Sequence, residues 1–121
     1  VAFVKEFAAK TQTVVAVTGT IDIVTDGTAA YCIKNGNPMM SSITGTGCQL
    51  SAMTAAYIAA NKDDMLKAAA AAVCAMGVCG EIAFEKLSDA DGNSTYRNYI
   101  IDAVYRLDGE TLERWAKYEI R

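Results

Sequence analysis

The chain has 121 residues, 52% hydrophobic and 21% charged, the size and balance of one globular domain. Its net charge of −3 supplies neither the basic footprint of a nucleic-acid binder nor a polybasic patch for a membrane surface. There is no histidine, and Cys32, Cys48, Cys74 and Cys79 form no Cys-x-x-Cys pair. That argues against zinc and against His-based acid–base chemistry, and fits a reducing, cytoplasmic setting.

Residues 1–10 open in helical rhythm, with Val1, Val4, Phe7 and Ala8 on one face and Lys5 and Glu6 outward. The opening has no Met and no apolar core of a signal peptide, and reads as part of a larger protein. Residues 13–18, Thr-Val-Val-Ala-Val-Thr, form a continuous β-rich run of the kind buried on both faces of an α/β sheet. A helix followed by such a strand is half of a βαβ unit and predicts a mainly parallel sheet. Residues 21–25 and 28–33 are two further strands, and Asp26-Gly27 between them suits a two-residue hairpin turn. Residues 35–38, Asn-Gly-Asn-Pro, are a loop, and Met39-Met40 is packing.

Thr44-Gly45-Thr46-Gly47 is a glycine-rich turn running into a helix that extends from Cys48 to about Asn61. A helix start leaves N–H groups and the positive end of the peptide dipole facing outward, ready for an anion such as phosphate. Cys48 falls in the first turn, a position that favours a thiolate. No Lys-Ser or Lys-Thr follows, so this is not a Walker-type loop; no third glycine follows either, so it is not a dinucleotide fingerprint.

Residues 65–86 read as a long alanine-rich helix, with Leu66, Ala69, Val73, Met76, Gly80 and Ala83 or Phe84 as its apolar stripe. Cys74 and Cys79 lie inside it as small buried hydrophobes. Its apolar run, residues 68–80, is too short for a membrane span. The polar loop 88–93 lacks the spacing and final Glu of a calcium loop. Ser94 is placed to cap a helix to Leu107, and Asp108 to cap a last one from Gly109 to Tyr118. Residues 119–121 show no role.

Several of these stretches together carry a resemblance. They are residues 14–19, Val-Val-Ala-Val-Thr-Gly; Asp22; Thr25-Asp26-Gly27; Asn35-Gly36 with Pro38; and residues 43–48, Ile-Thr-Gly-Thr-Gly-Cys, followed by Leu50 and Ala52. The sequence resembles the hydroxyethylthiazole kinase family, the thiamine-salvage branch of the ribokinase-like kinases, over its whole length. The broader group ends the Gly-x-Gly motif with Asp, and Cys48 in that place points to the thiazole branch. The resemblance implies that residues 1–121 are the C-terminal portion of a single ribokinase-like domain. The implied fold is a three-layer α/β/α arrangement, with a mainly parallel sheet, a short antiparallel hairpin and several helices.

It implies transfer of the ATP γ-phosphate to the hydroxyl of 4-methyl-5-(2-hydroxyethyl)thiazole. The amides of Gly45, Thr46, Gly47 and Cys48 would be the anion hole, and Cys48 the catalytic residue. Gly45 would border the thiazole arm, and Thr18 with Gly19 would contact ATP. The preceding half of the fold would carry an ATP-binding Arg and the acidic groups that organise Mg²⁺, and the complete protein would be a homotrimer. Two alternatives stand beside this: a non-catalytic fragment or pseudo-kinase that needs a missing half, and a kinase for another small alcohol.

Overall fold

The computed structural model describes all 121 residues. Helix α1, Ala2–Thr11, ends at Gln12, which takes a left-handed conformation (φ 54°). Of its predicted face, Ala8 is buried, Val1 and Val4 are half-buried, and Phe7 is exposed. Strands β1 (Val15–Val17), β2 (Asp22–Thr25) and β3 (Ala30–Ile33) follow. A 3₁₀ turn over Pro38–Ser42 leads to α2 (Thr46–Ala60), α3 (Met65–Glu85), α4 (Asn93–Arg106) and α5 (Gly109–Trp115), and the chain closes with β4 (Tyr118–Ile120).

The sheet corrects the parallel expectation. Its order is β1-β2-β3-β4 and every pairing is antiparallel. Chain length explains the first two pairings. Residues 18–21 and 26–29 are the whole of the first two connections, far short of the dozen or more that a parallel crossover requires. The second connection is thus longer than the two-residue turn predicted at Asp26-Gly27. Asp26 Oδ1 organises it by accepting from the Thr28 and Ala29 amides, at 2.8 and 3.1 Å. Those two amides hold the exposed Asp26 carboxyl below its ordinary 3.8. β1 is also shorter and less buried than the run 13–18 suggested. It pairs on one side only, with β2, so Ala16 and Val17 stay exposed.

The chain end was expected to have no role, yet it forms the fourth strand. Ala30 and Arg121 exchange backbone hydrogen bonds at 2.8 Å in both directions, and the Lys34 amide donates to the Lys117 carbonyl at 2.8 Å. Tyr31 and Tyr118 lie side by side across the pair, with ring centroids 5.7 Å apart. The last helix accordingly stops at Trp115 rather than Tyr118. Asp108 caps it as predicted, accepting from the Thr111 amide at 2.8 Å. Ser94 does not cap α4: that helix starts at Asn93 from Gly92, without a side-chain cap.

α3 is the spine. It is long and apolar enough to cross a membrane by length and composition, but 67% of its apolar window is buried inside the fold. From Ala68 to Gly80 only Ala71 is not fully buried. One side of α3 packs Ala69, Val73 and Val78 on Val24 and Ile33 of the sheet. Another packs Met76, Cys79 and Ala83 on Tyr96, Ile100 and Ala103 of α4. The buried Tyr96 hydroxyl donates to the Gly80 carbonyl at 2.9 Å, and burial pushes it up to about 12. Such close approach needs small residues. A Cβ on Gly77 would come within 2.8 Å of the Asn35 backbone, and one on Gly80 would strike the Met40 side chain. Met39 and Met40 are packing residues, as expected.

Candidate functional site

Three stretches remote in sequence close around a cleft of about 680 Å³. The turn after β1 contributes Thr18 and Gly19, the loop after β3 contributes Asn35 and Gly36, and the start of α2 contributes Thr46 and Gly47. The turn takes its shape from Asp22, whose Oδ1 accepts from the Gly19 amide at 2.9 Å. Asp22 itself lines the cleft, and burial raises its carboxyl above the ordinary value, with the Gly19 hydrogen bond partly opposing the shift. Lys34 is the one cationic side chain along the lining, and it forms no ion pair within the chain.

The helix after the glycine turn starts two residues earlier than its sequence suggested. Gly45 takes φ 97° as the N-terminal cap, and the helix begins at Thr46 rather than Cys48. A left-handed conformation at that point is accessible to Gly without steric cost. The amides of Gly45, Thr46, Gly47 and Cys48 donate to no acceptor within the chain. A Cβ added at Gly45 or Gly47 would meet nothing within 4 Å, so the backbone is open to close approach. Four successive unpaired donors at the positive end of a 15-residue helix favour an anion there.

Cys48 stands exposed in that first turn, whereas Cys32, Cys74 and Cys79 are buried. Burial pushes the Cys74 and Cys79 thiols up to about 11, which makes both poor nucleophiles and poor ligands. Among the site residues expected from sequence, Thr18, Gly19, Thr46 and Gly47 line the cleft together. Gly45 and Cys48 belong to the same helix start without lining the cleft.

Asp22, Lys34 and Asn35 line the cleft as well, and sequence reasoning did not single them out as site residues. Their signals were present but weak: a carboxylate three residues after a Thr-Gly strand end, and an Asn-Gly pair after a strand. Asn35 is buried and fully hydrogen-bonded, in part to Glu81 of α3 at 3.0 Å. No group of three or more Asp, Glu or Cys side chains stands close enough to hold a metal ion.

An α/β chain whose glycine-started helix leaves unpaired amides beside a cleft has the local geometry that favours an anion. Residues 1–110 match the sequence model of the hydroxyethylthiazole kinase family, and the chain belongs to that family. It is 61% identical over 117 residues to a hydroxyethylthiazole kinase of Clostridium acetobutylicum, a match that takes in 97% of the chain and 43% of that relative. A maize hydroxyethylthiazole kinase is 40% identical over 117 residues, covering 97% of the chain and 41% of the relative. Among solved structures, a hydroxyethylthiazole kinase protein from Pyrococcus horikoshii superposes with a TM-score of 0.87 at 31% identity. That match covers 97% of the chain and 44% of the archaeal one. The chain therefore spans less than half the length of these relatives.

Proposed function

We propose that this chain forms the phosphoryl-transfer end of a hydroxyethylthiazole kinase. In this reading the enzyme moves the γ-phosphate of ATP to the primary hydroxyl of 4-methyl-5-(2-hydroxyethyl)thiazole. The observation that carries the reading is the row of unpaired amides from Gly45 to Cys48, of which Thr46 and Gly47 line the same cleft as the Thr18–Gly19 turn. Phosphoryl transfer asks mainly for positioning and neutralisation of charge spread over the equatorial oxygens. The four amides take those oxygens, and Thr18 and Gly19 hold the donor phosphates. Gly45, with no Cβ, lets the hydroxyethyl arm approach. The alcohol oxygen forms its bond to the γ-phosphorus as the bond to the ADP oxygen breaks, and Cys48 orients the hydroxyl and accepts its proton.

Mg²⁺ would supply further neutralisation. No step above is routed through it. The three-layer completion of the fold, a cytoplasmic location and assembly as a homotrimer belong to the same proposal, and rest on family membership.

The test is a phosphorylation assay with ATP, Mg²⁺ and the thiazole alcohol, using the intact protein and its Cys48→Ala variant. Turnover should fall by about 10²- to 10⁴-fold in the variant, the usual contribution of a positioned proton acceptor, with ATP affinity preserved. Unchanged turnover would remove Cys48 from the chemistry. Phosphorylation of another small alcohol in preference to the thiazole, in direct competition, would replace the substrate.

A further inference from the structure

The 35–37 stretch lines the cleft together with the Thr18–Gly19 turn and Thr46 and Gly47 at the start of α2, and so forms one wall of it. What holds that wall is a polar knot on its far side. The Asn35 Nδ2 donates to Glu81 Oε1 at 3.0 Å and to the Trp115 carbonyl at 2.9 Å. Its Oδ1 accepts from the Lys117 amide at 2.7 Å and from the Cys74 thiol at 3.4 Å. Both donors and both lone pairs of one buried amide are thereby used. Glu81 Oε1 also accepts from the Gly36 amide at 2.8 Å, and Oε2 takes the Lys117 ammonium at 3.1 Å.

Gly36 sits at φ 125°, a conformation that costs other residues strain. Behind it Gly77 admits the Asn35 backbone so closely that no side chain fits between. One asparagine and one glutamate thus tie the cleft wall to α3, to the end of α5 and to the lead-in of β4.

We propose that Asn35 and Glu81 are positioning residues that keep the cleft in register by fixing the 35–37 wall that it shares with the Thr18–Gly19 turn and the α2 start. The catalytic consequence rests on the kinase reading above; the mechanical one does not. Neither side chain touches the reacting atoms. A wall displaced by an ångström leaves each phosphate contact available but misaligns them, and such misplacement costs about 10²-fold in rate. The knot also gives the segment joining α5 to β4 a part in the cleft, since Trp115 and Lys117 are two of its four anchors.

Three substitutions in the intact protein test this. Asn35→Asp keeps the shape but turns the donors facing Glu81 and the Trp115 carbonyl into acceptors. Glu81→Ala removes the acceptor, and Glu81→Gln keeps Oε1 for Asn35 and Gly36. We expect kcat to fall about 100-fold in Asn35→Asp and Glu81→Ala, as for misaligned reactants, while the ATP Kd moves by less than about threefold. Glu81→Gln should restore kcat to within about threefold of the unsubstituted protein. Hydrogen exchange at the Gly36 amide should quicken by about tenfold or more in Glu81→Ala and stay slow in Glu81→Gln.

Unchanged kcat in both Asn35→Asp and Glu81→Ala would overturn the proposal, as would Gly36 exchange that ignores Glu81. If Asn35→Asp does not fold, the Glu81→Ala and Glu81→Gln pair decides. If the unsubstituted protein does not phosphorylate the thiazole alcohol, the kinase reading falls, and the exchange measurement alone decides the wall.

Discussion

The start of α2 and the middle of α3 use the same residue types for opposite ends. Each has two glycines close together, Gly45 and Gly47 in one and Gly77 and Gly80 in the other, and each carries cysteine. At α2 the space beyond the glycines is empty and Cys48 is exposed. At α3 the glycines are pressed against Asn35 and Met40, and Cys74 and Cys79 are sealed in the core. A glycine in a helix is therefore a mark of close approach, and what approaches differs. For α3 it is the rest of the protein; for α2 the approach is left open to a ligand. The sulfur follows its surroundings in the same way, since access decides whether a thiol can react.

The contrast is broken most directly by adding a methyl group to each helix. Gly77→Ala should lower stability by about 2–3 kcal/mol, because the obstructing atoms are backbone and cannot swing aside. Gly47→Ala should be neutral or stabilising by up to about 1 kcal/mol, since helical alanine is favoured and nothing is struck. Urea unfolding of both variants measures the pair, and equal costs would erase the distinction. Tyr96→Phe should cost about 1 kcal/mol, the net worth of its bond to the Gly80 carbonyl, read from the same unfolding curves.

A smaller effect is kinetic. A thiol reagent such as Ellman's should label Cys48 at once, and Cys32, Cys74 and Cys79 only as the fold opens; prompt labelling of Cys74 or Cys79 would show α3 to be loosely packed. The smallest concerns Asp22. Burial raises its folded pKa, so the stability linked to its proton is present well below the ordinary 3.8 and is lost as pH rises through the folded value. Asp22→Asn should leave the thermal midpoint nearly unchanged in acid and raise it slightly at neutral pH, because the asparagine oxygen still accepts from Gly19. A drop at neutral pH would mean that the charged form is favoured by a partner in the cleft.

Much of the helical architecture was legible in the residues. The apolar stripe of α3 from Leu66 to Ala83 and the Asp108 cap follow from local pattern and capping chemistry, which need only near neighbours. The open amides at the start of α2 were legible for the same reason: glycines before a helix expose amides whatever the rest of the chain does. The sheet was not. Residues 13–18 look like a strand buried in a parallel sheet because apolar runs report burial and carry no direction. The direction came from connections of four residues, too short for a crossover. The last residues gave no cue, since β4 is three residues long and is held by partners far away in sequence.

Sequence alone determined that a helix would begin at the glycine turn with unpaired donors, that a cysteine would stand among them, and that α3 would be a buried apolar helix. Those are properties of consecutive residues and of their spacing along one element. Tertiary structure decided the direction of every strand, the half-burial of Asp22, and the meeting of Thr18, Asn35 and Gly47 around one cleft. It decided as well that Asn35 and Glu81 would hold that cleft's wall. A hydrogen bond between residues 46 positions apart depends on which elements the packing of α3 brings together, and no local pattern in the chain encodes that.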